Sequence, residues 1–131
     1  MKYLFILYLI ASFFLPITSA GQQLIGLPLV NNYNKTIYQG GSRTWDIKQD
    51  SRGILYFGNS EGLITFDGRY WKSYALPNHT IIRSLWIDDH DRIYVGGQGE
   101  FGYFEPAQQG GLTYTSLKAL IPEEYRNFAD I

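Results

Sequence analysis

Most of the chain after its first twenty residues consists of short runs of alternating apolar and polar residues, separated by polar turns that contain glycine. Alternation with a period of two places apolar side chains on one face of an extended strand, so these runs predict β-strands. The first four strands are predicted at Thr44–Gln49, Ile54–Gly58, Leu63–Phe66 and Tyr70–Tyr74. The next four are predicted at Ser84–Ile87, Ile93–Gly96, Phe101–Glu105 and Leu112–Ser116. Only Leu117–Tyr125 suits a helical turn or two, so the sequence predicts an all-β fold.

The two sets of strands repeat each other at an offset of 38 residues. Trp45–Asp67 aligns with Arg83–Glu105 without a gap, and the identities in the first copy are Asp50, Tyr56, Gly58 and Phe66. A four-stranded unit that recurs at about 40 residues is typical of a β-propeller blade. We therefore expect two blades, over about residues 44–74 and 83–116. A β-sandwich is the alternative, but it gives no reason for the strand pattern to recur in register.

A third blade is predicted to begin at Asp130-Ile131, which repeats Asp46-Ile47. A propeller ring takes at least about four blades, so residues 21–131 are expected to be the N-terminal part of a longer propeller. In the full protein, Leu27-Pro28-Leu29 is expected to supply an outer strand that closes the ring against the last blade, and in residues 21–131 alone it is expected to be unpaired. Because each blade buries its apolar faces only against neighbours, isolated residues 21–131 are expected to be poorly folded or to self-associate.

Residues 1–20 resemble a secretory signal peptide. Lys2 precedes an apolar run at Tyr3–Leu15, and the segment ends in Thr18-Ser19-Ala20, which fits cleavage after Ala20. The alternative is an uncleaved anchor, but the run is shorter than the roughly 20 residues that span a bilayer. The chain also contains no cysteine. An exported chain without disulfides fits a bacterial periplasm.

Composition excludes several kinds of function. The formal charge is −1, with 11 basic and 12 acidic residues, whereas nucleic-acid binding normally requires a basic face. We expect no nucleic-acid partner for this region and no cofactor. Asp88–Asp91 is the densest polar cluster, but a solvated turn explains it better than calcium, because the glycine and distant glutamate of a calcium loop are missing. No Gly-x-Ser-x-Gly elbow accompanies the two histidines, so no catalytic residue is predicted.

Candidate ligand-binding residues follow from the blade geometry. The connections into the first strand of each blade and the turn between its second and third strands emerge on one face of a propeller. The residues placed there are Arg43, Asn59, Glu61, Arg83, Gln98 and Glu100. Guanidinium and amide groups suit the carboxylates or hydroxyls of an acidic or neutral oligosaccharide, although loop ends also carry such residues merely for solvation. The three tryptophans, Trp45, Trp71 and Trp86, are expected to pack between blades rather than to stack on sugars.

The sequences of the two repeats resemble the repeat of one protein family. Trp45–Asn59 followed by Glu61-Gly62-Leu63, and Ser84–Asp88 followed by Ile93–Gly97, are similar to the two-component regulator propeller repeat. Tyr38–Gly41 and Phe66–Trp71 are also similar to the first blade of such proteins. The resemblance covers residues 22–131, with departures at Asp91-Arg92, where the turn glycine is missing, and at Gly102.

The resemblance implies a periplasmic sensor of small molecules or oligosaccharides, often glycan fragments, in a two-component-type signalling protein. The full-length protein would be a homodimer anchored in the inner membrane, with a histidine kinase or a DNA-binding output. Fold alone does not separate binding from catalysis, so the alternative is the N-terminal part of an exported propeller enzyme, a polysaccharide lyase or hydrolase.

Overall fold

The computed structural model describes residue 26 and residues 28–129, within two compact units, Met1–Asn31 and Asn32–Ile131. In the first unit, the described residues have no regular secondary structure. The predicted signal peptide, Leu27 and the predicted third-blade start at Asp130-Ile131 lie outside the described residues. Pro28 and Leu29 do not form part of a strand here. A strand at this segment is expected only against the last blade of a closed ring, so it stays a prediction.

The second unit consists mainly of two four-stranded antiparallel sheets, each with its strands in sequence order. Sheet A contains β1 Thr44–Gln49, β2 Leu55–Asn59, β3 Gly62–Phe66 and β4 Trp71–Tyr74. Sheet B contains β5 Ile82–Ile87, β6 Ile93–Gly97, β7 Glu100–Pro106 and β8 Leu112–Ser116. The eight predicted strands are confirmed, with bounds that shift by one or two residues at most. The all-β fold class is therefore confirmed for the described residues.

Short helical segments lie outside the sheets. Helix α1, Lys35–Tyr38, begins where the Asn34 side chain accepts a hydrogen bond from the backbone N–H of Ile37 at 3.2 Å. Two 3-10 helices, Lys118–Leu120 and Glu123–Tyr125, occupy the segment predicted to hold a helical turn or two. Among the described residues, no helix has the length and apolar character needed to cross a membrane.

The first turn of each sheet has the same form despite the missing glycine in the second. Asp50 and Asp88 each accept hydrogen bonds from backbone N–H groups two and four residues later. Gly53 has a φ of 86°, and its equivalent Asp91 has a φ of 59°. Aspartate tolerates this left-handed conformation better than most residues, so the turn survives the substitution.

The hydrophobic core lies between the two sheets. Its buried members are Tyr56, Leu63, Leu76, Ile82, Leu85, Ile93, Val95 and Phe104. Leu85 is 5% exposed, whereas the next residue, Trp86, is 60% exposed on the opposite face of sheet B. The sheets also meet through a polar contact, because the Asp46 carboxylate accepts a hydrogen bond from the backbone N–H of Leu85 at 2.8 Å.

The faces that meet are not equivalent in the two repeats. Tyr56 and Thr65 are cross-strand neighbours on the face of sheet A that packs against sheet B. Their equivalents, Tyr94 and Tyr103, are cross-strand neighbours on the same face of sheet B as the exposed Trp86. That face points away from sheet A. Sheet B therefore follows sheet A head to tail, and the two sheets are not related by a two-fold axis.

An aromatic cluster forms on the outer face of sheet A. Trp71 is at its centre, stacked on Phe66 with the ring centroids 4.4 Å apart, and Tyr33, Tyr38 and Phe57 surround it. The Trp71 indole N–H is buried and has no hydrogen-bond acceptor among the described residues. Trp45 and Trp86 are 42% and 60% exposed, so neither is buried between sheets A and B, and packing of Trp86 against a further blade stays a prediction. Trp86 lies on the outer face of sheet B, and Trp45 lies at a β-bulge.

Candidate functional site

The six candidate residues lie at one end of the two sheets, as predicted. Asn59 and Gly62 pair at the start of the β2–β3 turn, and Asn59 also faces Thr44 at the start of β1. In sheet B, Gly97 pairs with both Ile82 and Glu100 in the same way. We call this end, with the connections into β1 and β5, the ligand face. Burial then separates the six residues into two groups.

Arginine and tryptophan side chains form a stack on the ligand face. The Arg83 guanidinium lies 4.3 Å from the centroid of the Trp45 ring, and the Arg43 guanidinium lies 6.0 Å from it. A guanidinium over an indole face is attracted by the negative charge of the π-system. The stack therefore joins the two sheets at their first strands and leaves Trp45 and Arg43 exposed. Sequence reasoning assigned both arginines to the face but did not include Trp45.

Two further candidates, Glu61 and Gln98, are exposed at the turns of the ligand face. The Glu61 carboxylate lies 3.6 Å from the ammonium group of Lys35, in an ion pair with both side chains more than half exposed. The Gln98 backbone carbonyl accepts a hydrogen bond from the Asn78 side chain at 3.5 Å. The Gln98 side chain remains available to a ligand, whereas a ligand at Glu61 would compete with Lys35.

Asn59 does not face the ligand side, which corrects its assignment as a ligand-binding residue. It is 0% exposed. Its side-chain oxygen accepts hydrogen bonds from the backbone N–H groups of Gly41 and Glu61 at 2.7 and 3.1 Å. Its amide donates to the carbonyls of Gly41 and Arg43 at 3.0 and 2.9 Å. Asn59 therefore holds the segment before β1 against the β2–β3 turn. Its hydrogen bond to the Arg43 carbonyl fixes the backbone from which the Arg43 side chain extends.

Glu100 is also buried, and its assignment needs the same correction. One carboxylate oxygen accepts hydrogen bonds from the Ser116 hydroxyl at 2.5 Å and the Tyr114 hydroxyl at 3.2 Å. These contacts link β7 to β8. Burial, reinforced by the neighbouring Glu100 carboxylate, raises the pKa of Tyr114 well above its usual value. Glu100 thus supports the fold, and Arg43, Glu61, Arg83 and Gln98 remain as ligand candidates.

A charged network lies at the other end of sheet A, in the β1–β2 turn. Asp50 is buried, and one of its carboxylate oxygens accepts hydrogen bonds from the Arg52 guanidinium at 2.7 Å and the Tyr56 hydroxyl at 3.0 Å. Arg52 also lies 3.7 Å from Asp91 of sheet B. Burial raises the pKa of Tyr56 to about 12, and its hydrogen bond to Asp50 acts in the same direction. Tyr56 therefore keeps its proton, and its hydrogen bond to Asp50, at alkaline pH values where an ordinary tyrosine ionises.

The ligand face has the chemistry of a recognition surface: two guanidinium groups, an exposed indole, a carboxylate and an amide. Groups of three or more histidine, aspartate or glutamate side chains arranged to hold a metal ion do not occur in the described part of the chain. Comparisons with protein-family models, curated proteins and solved structures gave no significant match.

Proposed function

We propose that the two sheets are consecutive blades of an exported β-propeller, and that this propeller is the ligand-sensing region of a two-component-type signalling protein. The observation that carries the proposal is the head-to-tail contact between sheets A and B. Different faces of the two sheets meet. The face by which sheet A contacts sheet B is therefore, in sheet B, the face that points away from sheet A. The same contact can therefore recur with further repeats until a ring closes.

The arrangement of the strands also supports blades rather than a sandwich. Sheet B approaches sheet A chiefly through β5, which packs against β1 and β2. In a propeller the first strand of each blade lies nearest the central channel, and the blades diverge outward from it. A groove of about 220 Å³ lies on the outer face of sheet B, lined by Trp86, Tyr94, Gly96, Phe101 and Leu117, among others. It is the surface on which a third repeat would pack.

Ligand recognition would take place on the ligand face. Arg43 and Arg83 supply cationic donors, Gln98 supplies an amide, and Trp45 supplies an aromatic surface, a combination that suits an oligosaccharide with acidic or hydroxyl groups. Export is supported by the signal-peptide pattern of residues 1–20. The signalling role is supported by the resemblance of both repeats to the regulator propeller repeat. A periplasmic location, a membrane anchor and a homodimeric full-length protein belong to the same proposal.

A binding experiment tests the sensing role. Acidic and neutral oligosaccharides would be screened by thermal shift and calorimetry against the chain and against the double variant R43Q/R83Q. We expect the double variant to weaken binding at least about tenfold, since it removes two charge-assisted contacts. R92Q is the matched control, because Arg92 is an exposed arginine at the opposite end of sheet B.

Three results would contradict the proposal. Equal affinity in the chain and the R43Q/R83Q variant would place any binding elsewhere. Turnover of an oligosaccharide would favour the exported enzyme. An experimental structure with sheets A and B related by a two-fold axis would exclude the propeller arrangement.

A further inference from the structure

A second concave site lies between the two sheets, at the end opposite the ligand face. It is a cleft of about 190 Å³, bounded by the β1–β2 turn and β2–β4 of sheet A on one side and by the β7–β8 turn on the other. The space corresponds to roughly six water molecules at about 30 Å³ each, which is the scale of a single sugar ring. The residues used below are Arg52, Thr65, Asp67, Tyr70, Lys72 and Tyr74, all of which line the cleft.

The inner side of the cleft contains a polar group without a protein partner. Thr65 is 8% exposed, and its hydroxyl has no hydrogen bond to any described residue. Its oxygen is not fully enclosed, so the remaining exposure opens into the cleft. Because the oxygen keeps some exposure, water or a ligand hydroxyl can reach it and supply the missing hydrogen bond. Lys72, the cross-strand neighbour of Thr65, adds an ammonium group without an ion pair among the described residues.

Two tyrosine rings form apolar surfaces beside these polar groups. Tyr70 is 56% exposed, and the Arg69 guanidinium lies 5.0 Å from its ring centroid. Tyr74 is more enclosed: burial raises its pKa, and the backbone N–H of Leu112 acts in the opposite direction. Tyr74 of sheet A and Leu112 of sheet B both line the cleft, one on each wall. Aromatic faces beside hydrogen-bonding groups suit a ring with apolar faces and polar edges.

The charges around the cleft indicate whether the ring that it suits is neutral or charged. Arg52 is already paired with Asp50 at 2.7 Å and lies 3.7 Å from Asp91. Lys72 is close enough to Asp67 to help lower the pKa of that carboxyl, after the larger effect of hydrogen bonds from the Tyr70 and Arg69 N–H groups. Each of the two cations that line the cleft therefore has a carboxylate nearby, and the site offers both donors and acceptors. This pairing of opposite charges favours a neutral polyhydroxylated ring over an anion.

We propose that this cleft binds a neutral pyranose residue, with its hydroxyls hydrogen-bonded to Thr65, Lys72 and Asp67 and its faces against Tyr70 and Tyr74. The site is separate from the ligand face. It requires only the contact between sheets A and B, so it does not depend on the closure of a ring or on a signalling role.

Saturation-transfer NMR and titration with the methyl pyranosides of glucose, galactose, mannose and xylose test this proposal on the chain. We expect at least one to bind, and T65V to weaken that binding about three- to tenfold, the effect of one lost hydrogen bond. T65S keeps the hydroxyl and should bind like the unaltered chain. K72M should also weaken binding. The controls are T113V, an exposed threonine of β8, and K48M, which lies in the same cross-strand row as Lys72 but outside the cleft.

The remaining outcomes would overturn the proposal. One is that none of the four pyranosides binds. Another is that T65V and T65S bind equally well while both keep the melting temperature of the chain. A third is that glucuronate binds more tightly than methyl glucoside. The R43Q/R83Q variant should leave pyranoside binding unchanged. If it abolished this binding, the signal would belong to the ligand face and the cleft proposal alone would fail.

Discussion

At the scale of single residues, two buried polar side chains determine the conformation of segments that lie outside the sheet ladders. Asn59 uses both its oxygen and its amide on the backbone of Gly41, Arg43 and Glu61. Asp50 uses both carboxylate oxygens on the turn that follows it. In each case one side chain satisfies several polar groups of the neighbouring segment at once. Replacing either should therefore cost more than a typical surface substitution.

For Asn59, we predict that N59A lowers the free energy of unfolding by at least about 1–3 kcal/mol, because it leaves buried donors and acceptors without partners. Thermal and urea unfolding would measure the loss. Q98A is the control, since Gln98 follows the equivalent position in the second repeat but is exposed, and its effect should stay within about 0.5 kcal/mol. An N59A variant as stable as Q98A would show that the hydrogen bonds of Asn59 do not stabilise the fold.

For Asp50, the prediction concerns pH. Burial alone would raise the pKa of Asp50, but hydrogen bonds from Arg52, Ile54 and Tyr56 outweigh it and hold the pKa below its usual value. A pKa that is lower in the folded than in the unfolded state stabilises the fold above the unfolded value, about 3.9, and this stabilisation is lost as the pH falls through the folded value. D50N should therefore cost about 1–3 kcal/mol at pH 7.

The difference between the chain and D50N should narrow below about pH 4, in chemical unfolding measured from pH 7 to pH 2.5. D88N is the matched control. Asp88 accepts backbone hydrogen bonds from His90 and Arg92 but lacks the arginine and tyrosine contacts of Asp50. Its replacement should consequently cost less at every pH. A stability difference for D50N that did not change with pH would contradict the assigned role of the carboxylate.

At the scale of elements, the strands were predictable because their causes are local. Alternation with a period of two and the turn residues between the strands give all eight within two residues of their bounds. The repeat then predicted which residues share an end of the sheets. Burial was less predictable, because it depends on neighbours. Asn59 and Glu100 look like exposed turn residues in the sequence, yet their hydrogen bonds place them inside.

The cleft between the sheets illustrates the same limit. Thr65 and Lys72 belong to β3 and β4, where alternation identifies their face but not what lies opposite. The opposite wall comes from the β7–β8 turn, about 40 residues later in the sequence. No local pattern joins these segments. The contact of Trp45 with Arg83 is a further example, since it arises only when the two repeats pack.

At the scale of the whole molecule, stability depends on how the first strand of one repeat fits the second strand of the preceding repeat. Gly58 of β2 makes room for this fit, because a Cβ atom there would lie 3.1 Å from both the Ile82 Cγ2 atom and the Ile82 carbonyl oxygen. Leu85 packs beside the same glycine. The repeat has glycine at the equivalent position, Gly96, in the groove on the outer face of sheet B. The expected self-association of isolated residues 21–131 through such uncovered faces stays a prediction.

We predict that G58A lowers the free energy of unfolding by about 1–3 kcal/mol, because overpacking a tight contact forces neighbouring groups to move. The Ile82 side chain supplies one of the two close atoms, so I82A should relieve part of the strain that G58A introduces. In urea unfolding, the double variant should therefore lose less stability than the sum of the single variants, with a coupling of at least about 0.5 kcal/mol. Strict additivity would mean that the new methyl group is accommodated without moving β5. The packing of β5 over Gly58 would then not control the contact between the two sheets.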